Sequence, residues 1–248
     1  MSGRFLFLFL GAIALLVADL GSATAREMVI PPAVYPKLPP QAASAEAFVP
    51  PGWKLETKVV GDLNRDGVPD LVLVLREDNP KNLVEHDILG DNPLNTNPRI
   101  LAIAFGSKAG PYTLQLQNHT LIPRREVPTV EDPLEEGNVA IDRDVLRLKL
   151  DYFMSAGSWS AFNVTFRFRH QNGRHLLIGF DRYSFHRGSG ESTDVSINFL
   201  TGKIRTATGD MANADKKVRW TTLQNRTLLT MEQIGNGLEF DPNRRRAR

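Results

Sequence analysis

The chain has 248 residues, with 30 Lys and Arg against 28 Asp and Glu for a formal charge of +2, and it contains no cysteine. That balance supplies no concentrated basic face of the kind nucleic acid selects, and the missing cysteines exclude both a disulfide framework and a lipidated cysteine. The length suits one domain, or at most two small ones, with enough chain to bury a core without staples.

Residues 1–25 read as a cleavable export signal. Arg4 precedes an apolar run from Phe5 to Ala18, and Ala23-Thr24-Ala25 supplies the small-x-small site, with cleavage expected after Ala25. The apolar run would rise only about 21 Å as a helix, against a hydrocarbon core of about 30 Å, so no transmembrane anchor is expected after cleavage. The expected location is periplasmic or secreted.

Residues 26–51 hold seven of the sixteen prolines and read as an extended, Pro-rich spacer. Beyond them, residues 52–235 show period-two alternation and read as a single β domain. Lys54 to Val60 and Leu71 to Leu75 are strand-like, the second apolar throughout, as befits a strand buried on both faces. Arg99 to Phe105 and Tyr112 to Gln117 form a plausible hairpin. Leu146 to Tyr152 and Phe162 to Phe168 alternate apolar with polar residues, as half-buried strands do. Asn172-Gly173 then predicts a tight turn with positive φ at both residues, followed by a strand from His175 to Phe180.

In that hairpin, alternation alone leaves open which face is buried. Asp194 to Leu200, a turn at residues 201–203 and a strand from Ile204 complete the pattern. Two long irregular stretches, Asp78 to Pro98 and Ile122 to Asn138, interrupt it. Residues 236–248 read as a solvated basic tail carrying Arg244, Arg245, Arg246 and Arg248. The expected fold class is all-β, with antiparallel sheets in a sandwich-like arrangement or a partial, propeller-like meander. No repeat recurs at a fixed period, which argues against a multi-blade array.

The segment Gly61-Asp62-Leu63-Asn64-Arg65-Asp66-Gly67-Val68-Pro69-Asp70 carries the chemistry. Side-chain oxygens at loop positions 1, 3, 5 and 9, with Gly at position 6, follow a calcium spacing. Asp62, Asn64, Asp66 and Asp70 can converge on one hard cation, Gly67 permits the reversal, and the Val68 carbonyl can add an oxygen. Position 12 is Leu73 rather than a bidentate Glu, and both flanks are strands, so the loop is not an EF-hand.

The pattern GDLNRDGVPDLVLV resembles the FG-GAP or VCBS type of repeat, the calcium-bearing β-hairpin of integrin α-subunit propellers, here in a single copy of about fifteen residues. The resemblance implies a β-loop-β site in which Asp62, Asn64, Asp66, the Val68 carbonyl and Asp70 hold a structural Ca2+. The remainder of the chain, including Gly157-Ser158-Trp159, is similar to uncharacterised bacterial exported proteins with one such loop.

Other groups carry weaker signals. The histidines at 86, 119, 170, 175 and 186 show no zinc spacing, and His170 and His175 should face each other as solvated neighbours across the Asn172-Gly173 turn. Glu131, Asp132, Glu135 and Glu136 could supply paired carboxylates for glycoside hydrolysis, though a solvated acidic loop is the simpler use. Trp159 could stack on a sugar ring, with core packing or a turn anchor as the simpler use.

Three functional readings follow. The preferred one is an exported, non-enzymatic, calcium-stabilised binding or envelope-associated module with a protein or glycan partner. The alternatives are a hydrolase acting on envelope polysaccharide or peptidoglycan, and an inhibitor of a secreted enzyme.

Overall fold

A computed structural model describes residues 28–213 and 215–242. The expected leader and the arginines from Arg244 onward lie outside the described residues. In chain order the strands are β1 (Gln41–Ala42), β2 (Trp53–Gly61), β3 (Asp70–Glu77), β4 (Leu83–Val84), β5 (Leu94–Asn95), β6 (Arg99–Phe105) and β7 (Tyr112–Asn118). They continue with β8 (Val139–Asp142), β9 (Val145–Tyr152), β10 (Ser160–Gln171), β11 (Arg174–His186), β12 (Glu191–Asn198), β13 (Lys203–Asp210) and β14 (Lys217–Thr222). Among the described residues the only helical turns are 3-10, at Glu46–Phe48, Pro80–Asn82, Met231–Gln233 and Gly237–Glu239.

The protein is all-β. One sheet has the order β1-β7-β6-β3-β2, a second runs β14-β13-β12-β11-β10-β9-β8, and β4 and β5 form a small ladder. All pairings are antiparallel. Of the two expected arrangements the sandwich forms, because inward residues of both sheets share one core. Val72, Val74, Leu101 and Ile103 of the first sheet meet Leu146, Leu148, Leu150, Val164, Phe166 and Phe168 of the second. The second sheet is a true meander, but as one sheet of seven strands it is not a propeller blade, which has four.

The hairpin after Asn172-Gly173 resolves its ambiguous face with a bulge. Asn172 and Gly173 have φ of 52° and 72°, as the type I′ turn requires. Phe168 pairs with Leu177 and Arg167 with Gly179, which leaves Ile178 unopposed. That extra residue shifts the parity of β11, so Phe180 comes opposite Phe166 and joins the core instead of sharing a face with Arg167.

The Pro-rich stretch expected as a spacer has little regular structure, yet it is part of the fold. Leu38, Ala42, Ala45 and Phe48 are buried against Leu71, Leu73, Leu75, Ile100, Ala102 and Ala104, the outer face of the first sheet. Strand β3 is therefore covered on both sides, as its apolar run implies. The long irregular stretches are also tied down. Arg124 donates to the Thr96 and Pro31 carbonyls and to the Asn82 side chain, clamping three segments with one guanidinium. The supposed basic tail begins inside the fold as well, since Phe240 is buried against Phe166 and Phe180.

Replacing Phe48 by Ala should destabilise the protein by about 3–5 kcal/mol, the cost of emptying a core aromatic site. Chemical denaturation measures this, and a free spacer would instead tolerate the change with no loss.

Candidate metal centre

The loop between β2 and β3 sits where the two sheets meet. Gly61 ends β2 so close to β8 that an added Cβ would lie 2.8 Å from the Ile141 side chain. Leu63 turns inward and is buried in the shared core. Arg65, held at φ 66°, reaches across to Asp144 at 2.6 Å, and Asp144 also pairs with Arg169 of β10 at 2.8 Å. One ten-residue loop thus touches both sheets.

Asp70 is fully buried, and both of its oxygens accept main-chain hydrogen bonds. Leu63 N–H donates to Oδ2 at 2.8 Å and Gly106 N–H donates to Oδ1 at 3.0 Å. Gly106 has to be glycine for this approach, because a Cβ there would stand 2.3 Å from the Pro69 carbonyl oxygen. Burial pushes the Asp70 carboxyl above its ordinary value. The Gly106 and Leu63 amides pull it back only in part, and the charge of Asp66 adds to the rise.

The other expected ligands organise the loop from its outer side. The Asp62 carboxylate accepts from the amides of Arg65, Asp66 and Gly67 at 2.6, 3.2 and 2.9 Å. The Asn64 side-chain oxygen accepts from Asp66 N–H, and Asp66 Oδ1 accepts from Val68 N–H at 2.7 Å. Gly67 takes φ 80°, the left-handed conformation that the reversal needs. Asp66 is exposed, while Asp62, Asn64 and Val68 are half-buried.

Among the described residues no three His, Cys, Asp or Glu side chains are gathered as a metal-holding group. The donor set nonetheless suits a hard cation. All its ligating atoms are oxygens, and those that accept a single amide, such as Asp62 Oδ2 and Asp66 Oδ1, keep a further lone pair. Burial is what raises the Asp70 pKa, and a cation beside the carboxylate would oppose that rise. Asp62, Asn64, Asp66 and Asp70 with the Val68 carbonyl would hold such an ion, and it would supply charge neutralisation rather than chemistry.

The acidic residues of the 131–136 segment do not act as a set. Asp132 is the counterion of Arg99, which binds it through both terminal nitrogens at 2.8 Å and grips Glu56 at 2.5 and 2.8 Å. A bulge between Leu55 and Thr57 leaves Glu56 without a cross-strand partner and frees it for this network, which Arg76 completes. Burial raises the Asp132 pKa, but the bonds and charge of Arg99 outweigh it and hold the carboxyl below its ordinary value. Gripped by Arg99 and Arg76, Asp132 is placed as their counterion.

Glu131 and Glu135 line a depression of about 220 Å³ with Asp151, Tyr152 and Phe162, and Asp151 is itself paired with Lys149 at 2.7 Å. Phe162 is itself engaged there, since Tyr152 stacks on it at 4.7 Å and Arg182 lies 3.9 Å from its centroid. Trp159, whose simpler expected use was packing, is 67% exposed.

His170 and His175 do pair across β10 and β11, with ring centroids 5.3 Å apart and Phe105 against both. The expectation of two solvated rings fails for His175, which is buried with Nε2 unpartnered. Its environment, read from sequence, lacked Phe105, which comes from the other sheet. Burial, helped by the His170 charge, lowers its pKa from 6.5 to about 4.

The unfolded chain therefore binds a proton at this position below pH 6.5 that the folded protein refuses down to about pH 4. Stability contributed by neutral His175 is complete above pH 6.5 and is lost as the pH falls through that window, by up to about 3 kcal/mol. Melting curves should show the native protein losing more stability on acidification than His175→Leu; equal losses would place His175 in water.

A second expectation concerns Asp70. In Asp70→Asn the side-chain amide must face one of two amide donors, so the variant should lose about 1–3 kcal/mol whether calcium is present or chelated. Denaturation in chelator measures it, and full stability there would refute the anchoring role. Set against known protein families, curated proteins and solved structures, the chain matches none.

Proposed function

We propose that this protein is an exported, non-enzymatic module of the periplasm or the extracellular space whose β2–β3 loop binds one structural Ca2+. The observation that carries the reading is the division of labour within the loop. Asp70 accepts two amides in the interior, whereas Asp62, Asn64 and Asp66 gather amides of the loop itself on its less buried side, so four oxygen-bearing side chains are held within the same ten residues. An ion held there would tie the outer ligands to the buried carboxylate and stiffen the junction of the two sheets. The leader-like residues 1–25 support export, where calcium is available at millimolar levels. A protein or glycan partner would then be bound elsewhere on the surface.

Extracellular modules bind calcium at roughly 10⁻⁴ to 10⁻³ M. Millimolar calcium above a dissociation constant of about 10⁻⁴ M would stabilise the fold by about 1.4 kcal/mol. For a domain of this size that is a rise of about 3–6 °C in Tm. The purified protein should show this rise with calcium over excess chelator, and not with magnesium. Asp66→Asn, which keeps the acceptor for Val68 N–H but removes a charge, should abolish the calcium response and leave the chelated Tm nearly unchanged. A Tm indifferent to calcium would overturn the proposal.

A further inference from the structure

His170 and His175 stand apart from the other three histidines, each of which is engaged elsewhere. His86 Nε2 donates to the Asp91 carbonyl at 2.9 Å, His119 stacks on Tyr35 at 4.3 Å, and His186 Nδ1 accepts from the Ser189 amide at 3.0 Å. His175, by contrast, is 4% exposed, and no described group hydrogen-bonds to its Nε2. A buried ring nitrogen without a partner is uncommon in a folded protein, and it calls for a group that satisfies it.

The Asn172-Gly173 turn decides how the two rings meet. In a two-residue hairpin the residues flanking the turn, here Gln171 and Arg174, exchange main-chain hydrogen bonds, so the next pair, His170 and His175, is a non-hydrogen-bonded one. Side chains come closest at such pairs, and the ring centroids are 5.3 Å apart. Phe105, the last residue of β6, packs against both rings at 4.9 and 5.9 Å and holds them from the opposite sheet.

We propose that His170 and His175 form a metal site separate from the β2–β3 loop, selective for a divalent transition metal such as Zn2+ over Ca2+ and Mg2+. The separation of the rings suits such an ion. An imidazole nitrogen lies about 1.2 Å from its ring centre, so two rings bound to Zn2+ at about 2.1 Å and about 109° have centres about 5.3 Å apart. The ion would take up the unpartnered nitrogen of His175, and the half-buried His170 leaves a solvent side from which water completes its coordination. Burial keeps the His175 ring unprotonated at neutral pH, as a ligand must be, and the nearby Glu232 carboxylate favours a positive charge there. Imidazole suits Zn2+, Cu2+ and Ni2+, whereas Ca2+ takes oxygen ligands, so this pair and the β2–β3 loop select different ions.

Titration calorimetry with zinc chloride tests the site on the full chain, purified without a histidine tag and held in millimolar calcium. One Zn2+ per chain should bind, with a dissociation constant on the order of 1–100 µM. His170→Gln should weaken that binding by at least about tenfold, while Asp66→Asn, in the calcium loop, should leave it unchanged. In 15N NMR of the native protein, zinc should shift the ring nitrogens of both His170 and His175, and magnesium should shift neither. No zinc binding below about 1 mM, affinity that survives His170→Gln, or shifts confined to His86, His119 or His186 would each overturn the proposal.

Discussion

The loop that reaches from the first sheet to the second is held in place by the buried carboxylate of Asp70. Placed at the first position of β3, it receives one amide from the loop that precedes it and one from Gly106, the residue just beyond β6. A neutral side chain could satisfy one of these donors, but only a carboxylate accepts from both, and at full burial each unmet donor would cost about 1–3 kcal/mol. The charge is the cost of that arrangement. Burial raises the pKa of Asp70 and the charge of Asp66 adds to the rise, so a cation bound here would relieve the same charge that anchors the loop.

The same logic recurs elsewhere in the molecule. Irregular segments are held by single guanidinium groups with several acceptors each: Arg124 on the Pro31, Asn82 and Thr96 segments, and Arg99 between Glu56 and Asp132. With no disulfide available, these multi-dentate contacts take over the work of stapling long loops onto the sandwich. They also make Asp132 the counterion of two arginines.

Most strands of the sandwich were legible in the sequence by alternation or by an unbroken apolar run, and the Asn172-Gly173 turn by its residue types, but β1, β8 and β14 were not read from it. What escaped was decided by contacts distant in the chain. The bulge at Ile178 is invisible to alternation, since Phe168 and Phe180 fall on opposite faces until one residue is set aside. The burial of Leu38 and Phe48 depends on the outer face of β3 and β6, and proline content alone points to a spacer. Strand β14 did carry a signal, Lys217 and Arg219 alternating with Val218 and Trp220. The oxygen spacing of the loop was legible, but the partnership of Asp70 with Gly106, 36 residues away, was not.

The most direct test of this account is amide hydrogen exchange at single residues, followed by NMR in chelator and in calcium. The Leu63 and Gly106 amides should be strongly protected in both conditions, exchanging only with global unfolding, while the amides of Arg65 to Val68 should gain protection when calcium is added. Rapid exchange at Leu63 and Gly106 in chelator would contradict the claim that Asp70 anchors the loop. Unchanged exchange from Arg65 to Val68 would contradict the claim that the loop binds the ion.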